Sequence, residues 1–305
     1  MPFTSSVVSY PVRGPYGDSH YRGNTCGQII KDFLETYHPK PASLFCDPAE
    51  GSGTSRDVAA EMKVRYQGLD LSRGFNLLRQ DLGHTLGQHA QSAFFHPPYY
   101  NMIRYSGHVW GQRPHPDDLS QCSSLEEFLS KLQLAVMNIH DAMMPDGHYA
   151  ILIGTMRKNG QYHDLAALAR EQGLPGSLRD VIIKVQHNTQ SERTHYSGKS
   201  FVPIAHETLL VYRKDSRTLT TLDFAVAFTE RLKTAHASSW KNLVKMVFMK
   251  SAGKPLTLPE VYSELDGSAK ASMNQNWQAK VRQCVQDARM FNRLERGLYE
   301  LRAAA

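Results

Sequence analysis

Residues 96–99 combine groups that could hold a flat ring bearing an amine. His96 offers a polar side chain, and Tyr99 presents an aromatic face. Between them, Pro97 and Pro98 stiffen the backbone and fix the direction of a carbonyl group. This combination suits the transfer of a methyl group onto the exocyclic amine of a base. A Pro-Pro-Tyr run taken alone is more often a stiff surface turn, so the rest of the chain must decide between the two interpretations.

A second candidate site lies upstream, in a glycine-rich turn that follows a short apolar run. It consists of Gly51, Ser52, Gly53 and Thr54, and it is preceded by Asp47, Pro48 and Glu50. Glycines lack the Cβ atom that would keep a ligand away from the backbone. No lysine follows these glycines, so the turn is not a phosphate-gripping P-loop. A nucleoside without a phosphate chain fits it better.

Two acidic residues follow the next two predicted strands. Asp70 stands where a carboxylate can accept hydrogen bonds from ribose hydroxyls, and Leu71 beside it is a further candidate cofactor residue. Asp81 could accept a hydrogen bond from an adenine amine. Each acid could instead cap a helix N-terminus. Because the acids and the glycine turn follow successive strands, we favour a cofactor site that binds a nucleoside.

The elements that must position these residues alternate between strands and helices. Before the Pro-Pro loop (residues 96–99), the pattern predicts a helix over residues 27–37, a strand over 42–46, a helix over 55–62, a strand over 64–69, a third strand ending near 81, and a fourth over 92–95. After a polar segment, residues 100–124, it predicts helices over 125–143 and 164–172 and strands over 149–153, 180–185 and 207–212. This alternation indicates an α/β fold with a mostly parallel sheet.

Length and composition limit the class of protein. The 305 residues allow one sizeable α/β domain and a smaller second domain. No apolar run approaches the roughly 20 residues that span a bilayer, and the N-terminus lacks a signal-peptide pattern. The four cysteines form no Cys-x-x-Cys pair, which argues against a structural zinc site. We therefore expect a cytoplasmic protein with no membrane partner and no metal.

The positive charge is concentrated at the C-terminus. The net charge is +6, and residues 240–305 contain 11 lysines and arginines against 6 acids. A separately basic terminal module points to a polyanion as its partner. A merely solvated basic surface is the alternative.

The motifs of the first 214 residues resemble a known family. Residues 47–54, followed by residues 97–99, resemble the S-adenosylmethionine-dependent amino-methyltransferases of DNA, which act on the N6 amine of adenine or the N4 amine of cytosine. Residues 145–149 and 206–214 resemble later strands of the same family. The resemblance implies a Rossmann-like methyltransferase fold with an antiparallel last strand, and S-adenosylmethionine as the cofactor. It also implies that Asn24, Thr25 and Cys26 cover the methionine end of the cofactor.

In that family, two acceptors hold the hydrogens of the target amine, and an aromatic ring stacks on the flipped base. Carried over, the Pro97 carbonyl is one acceptor and Tyr99 is the stacking ring, with Pro98 keeping the loop stiff. His96 departs from the pattern, which has Asp, Asn or Ser at this position. A neutral imidazole can still accept one hydrogen bond. Alternatively, His96 only supports the loop, or catalysis has been lost.

The basic C-terminus resembles a second kind of module. Helices are predicted from about residue 243, over 257–265 and over 276–290, followed by two strands that turn near Gly297. This pattern resembles the winged helix-turn-helix modules of some restriction-modification enzymes. It implies that the third helix enters a major groove. The expected DNA contacts of the module are Lys280, Arg282, Arg293 and Arg296. A three-helix module that docks a protein is the alternative.

Together these features predict a site-specific DNA methyltransferase that makes N6-methyladenine. Residues 1–214 would form the methyltransferase domain, residues 215–238 a linker helix, and residues 239–305 the winged module. Sequence recognition must come after the Pro-Pro loop, and we add Tyr100 and Arg104 to the expected DNA contacts.

Three alternatives to N6-adenine methylation remain open. They are N4-cytosine methylation, a catalytically weak DNA-binding relic or regulator, and methylation of a glutamine side chain in a protein. For the leading prediction, double-stranded DNA is the expected partner. A restriction endonuclease is compatible as a second partner, and the expected state is a monomer or a homodimer.

Overall fold

The computed structural model describes residues 2–187, 201–215, 239–251 and 254–302. The chain divides into two compact units. The first comprises residues 1–77 and 82–214, and the second comprises residues 78–81 and 215–305. Apart from residue 215, the predicted linker helix over residues 215–238 lies outside the described residues. None of the helices in the described part is long and apolar enough to cross a membrane.

The first unit is built on one large sheet. Its strands are β1 (Val7–Ser9), β2 (Phe45–Asp47), β3 (Tyr66–Gly68), β4 (Ala90–Phe95), β5 (Met143–Lys158), β6 (Gln161–Asp164), β7 (Ser177–Val185) and β8 (His206–Arg213). They are ordered β1-β7-β8-β5-β4-β2-β3, and β6 pairs only with β5. Along this order every pair is parallel except the two pairs made by β8. The predicted Rossmann-like methyltransferase fold, with an antiparallel last strand, is thereby confirmed.

Helices cover the sheet and hold its strands in place. They are α1 (Gly27–Tyr37), α2 (Thr54–Glu61), α3 (Leu82–Leu86), α4 (Leu125–Ala142) and α5 (Leu165–Glu171). The apolar face of α1 packs on the sheet, and Phe33 meets Phe94 of β4 edge-on with 5.9 Å between the ring centroids. At the start of α4, the Ser124 hydroxyl accepts a hydrogen bond from the Glu127 amide at 3.1 Å, which satisfies one free N–H of the first turn.

The strand directions bring several chain segments to one edge of the sheet. Carboxyl ends of parallel strands meet at the same edge. The glycine turn (residues 51–54) follows β2, Asp70 follows β3, and the Pro-Pro loop follows β4. Because β8 runs in the opposite direction, it begins at this edge, where Glu207 lies between Lys184 of β7 and Gly154 of β5.

Two predicted strands differ from the observed elements. In the described residues no strand lies near Asp81, because β3 ends at Gly68 and residues 82–86 form α3. The strand expected over residues 149–153 is the centre of the longer β5, which continues into a hairpin with β6. The two turn residues of that hairpin, Asn159 and Gly160, have φ values of 50° and 78°. Two consecutive positive φ values are typical of a tight hairpin turn.

The second unit combines helices with a small antiparallel sheet. Its elements are α6 (Trp240–Lys250), β9 (Leu256–Thr257), α7 (Leu258–Leu265), α8 (Ala269–Ser272), α9 (Trp277–Val285), β10 (Phe291–Glu295) and β11 (Leu298–Leu301). The strand order is β10-β11-β9. Thr257 and Glu260 form the predicted capping box at the start of α7. The third helix of the prediction was expected to reach Met290, but α9 ends at Val285.

Candidate active site

The glycine turn is fixed to the end of the neighbouring strand. Gly51 and Gly53 have φ values of 50° and 85°, which side-chain-bearing residues rarely adopt. A Cβ atom on Gly53 would lie 2.3 Å from the Arg56 guanidinium. The Gly51 amide donates a hydrogen bond to Asp70 Oδ2 at 2.9 Å. The end of β3 therefore determines where the turn lies.

Asp47 supports the turn from inside the fold. Its carboxyl group accepts hydrogen bonds from the Ser55 hydroxyl at 2.5 Å and from the Ala49 amide at 3.0 Å. Burial raises the pKa of Asp47 to about 7. Pro48 beside it is partly buried. Through these two bonds Asp47 links the end of β2 to the start of α2 on either side of the turn.

Asp70 caps a short helix and also holds the glycine turn. It caps the short 3-10 helix Leu71–Arg73, because Oδ1 accepts hydrogen bonds from the amide and the hydroxyl of Ser72 at 2.8 Å and 2.5 Å. It also holds the glycine turn through Oδ2. A carboxylate offers about four acceptor positions, and three donors are present. About one position on Oδ2 therefore remains for a ligand hydroxyl.

Two other predicted cofactor residues are engaged in ion pairs. The buried Glu50 carboxylate pairs with Arg73 and accepts a hydrogen bond from the Tyr66 hydroxyl at 3.0 Å. Asp81 lies in the second unit, where it pairs with Lys241. The expectation that Asp81 ends a strand is wrong, so its predicted contact with an adenine amine loses its basis.

The N-terminal segment reaches the glycine turn. Asn24 Oδ1 accepts a hydrogen bond from the Thr54 hydroxyl at 2.8 Å, and that hydroxyl lies 3.0 Å from the Ser52 hydroxyl. Cys26 is buried at the start of α1. The Thr25 hydroxyl is buried and has no hydrogen-bond partner within the described residues. Since a buried unpaired hydroxyl is unfavourable, Thr25 indicates a place for a polar ligand group.

Two tyrosines that the sequence analysis did not single out lie beside the glycine turn and the N-terminal segment. Tyr21 and Tyr105 stack with 6.0 Å between their ring centroids. A Cβ atom on Gly51 would lie 3.4 Å from the Tyr21 ring, and one on Gly23 would lie 1.9 Å from the Tyr105 hydroxyl. Tyr21 and Tyr105 belong to no motif, so only their packing reveals them.

The Pro-Pro loop is part of a hydrogen-bonded chain of four side chains. His96 Nε2 lies 2.8 Å from the Tyr99 hydroxyl, which donates to Glu207 Oε1 at 2.5 Å. Lys184 Nζ donates to Glu207 Oε2 at 2.5 Å, and both members of this ion pair are buried. The sequence analysis missed Lys184 and Glu207, because each lies in an ordinary strand pattern with no motif around it.

The protonation states of this chain follow from burial and charge. Burial lowers the pKa of His96 to about 4, although the Glu207 carboxylate opposes the shift. Burial disfavours the charged form of Glu207, yet Lys184 and the neighbouring donors keep the pKa of Glu207 below its ordinary value. Burial and the Glu207 charge raise the pKa of Tyr99 well above its ordinary value. At neutral pH, His96 is neutral, Glu207 is a carboxylate and Tyr99 keeps its proton.

Gly154 in β5 makes room for the Tyr99 ring. A Cβ atom at this position would lie 2.4 Å from Tyr99 Cε2, which is closer than any side chain could accept without displacing the ring. One side of Tyr99 is therefore fixed by the sheet, and its hydroxyl is fixed by Glu207.

The predicted DNA contacts differ in their exposure. Tyr100 is only 6% exposed, and its hydroxyl donates to the Ser123 carbonyl at 3.1 Å, so a direct contact between Tyr100 and DNA is not favoured. Arg104 is exposed and donates to Gln121 Oε1 at 2.7 Å. In the second unit, Lys280, Arg282, Arg293 and Arg296 are all exposed. Within the described ranges, no three His, Cys, Asp or Glu side chains cluster as a metal site would require.

Comparisons with solved structures give distant likenesses. The chain is similar to a candidate DNA modification methylase from Thermus thermophilus, complexed with S-adenosyl-L-methionine (18% identity, TM-score 0.31, 45% of this chain and 54% of that chain). It is also similar to an rRNA methylase from Streptococcus thermophilus (10% identity, TM-score 0.32, 61% and 94%) and to precorrin-6y C5,15-methyltransferase from Geobacter metallireducens (8% identity, TM-score 0.34, 67% and 97%). The chain spans about half the length of the Thermus protein. At these TM-scores the likenesses carry no functional argument.

The family assignment depends on a sequence model instead. No curated protein sequence matches the chain. A family model described as DNA methylase, for the N6 and N4 methylases, matches residues 91–284. The match begins in β4 and includes the Pro-Pro loop, Lys184 and Glu207. Because it covers almost two thirds of the 305 residues, the chain belongs to the N6/N4 DNA methylase family.

Proposed function

We propose that the protein transfers a methyl group from S-adenosylmethionine to the N6 amine of adenine in double-stranded DNA. One observation carries the proposal: the Pro-Pro loop and the glycine turn follow two paired strands, β4 and β2, at the same edge of the sheet. This arrangement allows a target base and a cofactor to meet at that edge. The same arrangement would also suit the N4 amine of cytosine, which is the alternative target.

The residues of the glycine turn and the N-terminal segment fit the cofactor. Gly51 and Gly53 have φ values of 50° and 85°, which let the backbone of the turn approach a ligand, and Thr25 contributes a buried hydroxyl without a partner in the described part of the chain. In this proposal, Gly51 to Thr54 hold the cofactor backbone, Asp70 accepts one ribose hydroxyl, and residues 24–26 bind the methionine end. When bound, S-adenosylmethionine supplies an electrophilic methyl group on a sulfonium ion.

The Pro-Pro loop makes the target amine a better nucleophile. The lone pair of an exocyclic amine is delocalised into the ring, so the nitrogen is flat and reacts slowly. Two acceptors, the Pro97 carbonyl and the neutral His96 ring, would hold the amine hydrogens and favour a pyramidal nitrogen. Because burial keeps the pKa of His96 at about 4, the ring is available as an acceptor at neutral pH.

Tyr99 would receive the flipped base in this proposal. Gly154 supports one side of the ring, and a base could stack against the other side. A ring that is already fixed loses little conformational entropy when a base stacks on it. The base would therefore be captured close to both amine acceptors.

The second unit is proposed to bind DNA as a winged helix. Its element order places a strand between the first two helices and a two-stranded wing after the last helix, and all three strands pair. The exposed Lys280 and Arg282 lie on α9, and Arg293 lies on β10. Arg296 lies beside Gly297, whose φ value of 86° forms the wing turn. These cations would contact phosphates and base edges.

Expression of the full chain in a host without amine-methylated DNA tests the proposed activity. We expect N6-methyladenine at every copy of one short DNA sequence, detected by sequencing that reports modified bases. His96→Ala should lose most of the modification, because one amine acceptor is removed. N4-methylcytosine at such a sequence would identify the alternative base.

Two results would refute DNA methylation altogether. Unmodified DNA in cells that contain the folded protein would favour a DNA-binding relic. Methylated protein glutamine, with activity unchanged when residues 239–305 are deleted, would favour a protein methyltransferase.

A further inference from the structure

We propose that Glu207, acting through the Tyr99 hydroxyl, fixes His96 in the neutral form whose Nδ1 atom can accept a hydrogen bond from the target amine. The inference rests on the proposed function and names how that site prepares its acceptor. Glu207, Lys184 and Tyr99 are positioning residues in this respect, since they act on the amine through His96.

The direction of each hydrogen bond follows from counting protons. A carboxylate can only accept, so the 2.5 Å contact between Tyr99 and Glu207 uses the single proton of the Tyr99 hydroxyl. The Tyr99 oxygen is then left as an acceptor for His96 Nε2 at 2.8 Å. That contact requires a proton on Nε2. A neutral imidazole carries one proton, and Nδ1 therefore keeps a free lone pair.

Lys184 prevents these hydrogen bonds from reversing their direction, because it keeps Glu207 ionised. If Glu207 were protonated, it could donate to Tyr99, and Tyr99 could then donate to His96. The Lys184 ammonium contacts Glu207 Oε2 at 2.5 Å, and the two side chains are only 9% and 7% exposed. A cation at this distance in a buried site strongly favours the carboxylate. The direction of each hydrogen bond is therefore fixed. Lys184 and Tyr99 both donate to Glu207, and His96 donates to Tyr99.

This arrangement explains how a histidine can replace a simple acceptor. Asn or Ser has an oxygen that accepts without any choice of tautomer, whereas a neutral histidine offers one donor and one acceptor. Without a hydrogen-bond partner, the ring would exist as a mixture of tautomers, and in some molecules Nδ1 would carry the proton and could not accept. The contact with Tyr99 removes that ambiguity, at the end of β4 where the loop begins.

Two variants test this arrangement. One removes the Tyr99 hydroxyl but keeps the ring, and the other removes the Glu207 charge but keeps the shape of the side chain. Tyr99→Phe keeps the aromatic face and removes only the hydroxyl, so His96 loses its selection of tautomer. In Glu207→Gln, Lys184 attracts the amide oxygen and the NH2 group turns toward Tyr99. Tyr99 would then donate to His96 Nε2, and the ring proton would move to Nδ1.

A matched control removes the same kind of contact elsewhere. The Tyr37 hydroxyl donates to Asp180 Oδ2 at 2.7 Å. Tyr37 ends α1 and Asp180 lies near the start of β7, so this pair belongs to the opposite edge of the sheet. Tyr37→Phe should leave both the His96 tautomer and the methylation rate unchanged.

The tautomer is read directly by nuclear magnetic resonance of the full chain labelled with 15N. Spectra that correlate ring nitrogens with carbon-bound ring protons report which nitrogen is protonated, and His96→Asn assigns the signal by its loss. We expect the proton on Nε2 in the wild-type protein, on both nitrogens in turn in Tyr99→Phe, and on Nδ1 in Glu207→Gln.

Single-turnover methylation of DNA gives the second readout. We expect Tyr99→Phe to lower the rate by about 10- to 100-fold, the usual effect of losing an orienting partner, with unchanged DNA and cofactor affinities. Glu207→Gln should lower it further, because a ring fixed in the wrong tautomer offers no acceptor. Adding Glu207→Gln to Tyr99→Phe should cost nothing more, since Glu207 acts only through the hydroxyl.

Several results would overturn the inference. They are a wild-type ring protonated on Nδ1, a Tyr99→Phe variant with the wild-type rate, and rate losses that multiply in the double variant. If Glu207→Gln fails to fold, the wild-type spectrum and Tyr99→Phe decide the question alone. A wild-type protein with the Nε2 proton but no DNA methylation would refute the proposed function while supporting the control of the tautomer by Glu207.

Discussion

At the scale of single residues, burial gives His96 properties that a surface histidine lacks. An exposed imidazole with a pKa near 6.5 is partly cationic at neutral pH, and the cation has only donors. The lowered pKa of His96, about 4, keeps the ring neutral through the range in which most enzymes work. His96 can therefore act as an uncharged acceptor, as Asn or Ser does in related motifs.

Because its pKa is lowered, protonation of His96 should not make the methylation rate depend on pH between pH 8 and pH 5. More than about nine tenths of the His96 rings should remain neutral at pH 5 if their pKa is about 4. An ordinary imidazole would instead reduce the single-turnover methylation rate by about 30-fold between pH 8 and pH 5. A 30-fold fall that disappears in His96→Asn would contradict the lowered pKa.

Two other effects must be measured beside that profile. Between pH 6.5, the ordinary value, and about pH 4, the unfolded chain binds a proton on His96 that the folded chain does not. Stability therefore falls as the pH is lowered through this window, and the folded fraction should be determined at each pH. Any pH dependence that persists in His96→Asn belongs to other groups, such as Asp47, whose pKa burial raises to about 7.

At the scale of elements, three neighbouring strands build the support of the Pro-Pro loop. Gly154 of β5, Glu207 of β8 and Lys184 of β7 are direct partners across the sheet. The glycine accommodates the Tyr99 ring, and the carboxylate holds its hydroxyl. A shift of one residue in the β8 register would turn Glu207 to the other face. The antiparallel strand is thus needed for the site as well as for the sheet.

Gly154→Ala should impair catalysis without unfolding the protein. The new Cβ atom would lie 2.4 Å from Tyr99 Cε2, so the ring and its hydrogen bonds must move. We expect the methylation rate to fall by up to about 100-fold, the cost of misplacing a reacting group by about 1 Å. Affinity for S-adenosylmethionine should stay the same, because the glycine turn is untouched.

The neighbouring Ile153→Val is the control for this strand. Ile153 is fully buried, and its loss of one methylene group should cost about 1 kcal/mol of stability while leaving the rate unchanged. Equal rate losses in Gly154→Ala and Ile153→Val would show that β5 tolerates no change, and would count against a specific role for the Tyr99 position.

At the scale of the whole molecule, the candidate active site and most of the excess positive charge belong to different units. The candidate active site lies in the first unit, whereas the second unit contains most of the excess positive charge. The exposed cations Lys280 and Arg282 lie on α9. Contacts between such cations and phosphates release counterions, so DNA affinity should depend steeply on salt.

Replacing both α9 cations tests this division. Lys280→Ala with Arg282→Ala should weaken DNA binding and reduce the slope of log affinity against log salt by about 2, since each phosphate contact contributes about 0.9. Binding of S-adenosylmethionine should not change. The measurement is a fluorescence titration with duplex DNA at several salt concentrations.

A second pair of exposed cations serves as the control. Lys40 and Arg65 precede β2 and β3 at the edge of the sheet opposite the candidate site. Lys40→Ala with Arg65→Ala removes the same charge and should preserve the salt slope. If both pairs reduce the slope equally, net charge rather than α9 controls binding, and the winged-helix proposal loses its support.

The sequence by itself determined most of the helices and strands and the two loops of the candidate site. Apolar periodicity predicted α1, α4 and most strands, because alternation and helical spacing reflect burial within a few residues. The glycine turn and the Pro-Pro loop were found because their chemistry is local. The hairpin of β5 and β6 also had a local signal, the pair Asn159 and Gly160, which the sequence analysis overlooked.

Only the tertiary structure decided which side chains meet. The distant partners of Tyr99 come from β5 and β8, and their approach depends on strand register, which no local pattern encodes. Asp81 was misplaced because no strand of the described residues ends near it: β3 ends at Gly68, and α3 begins at Leu82. The pKa of His96 likewise depends on how much protein surrounds the ring. Burial and register arise from contacts between residues distant in sequence, and the hydrogen-bonded chain of His96, Tyr99, Glu207 and Lys184 depends on both.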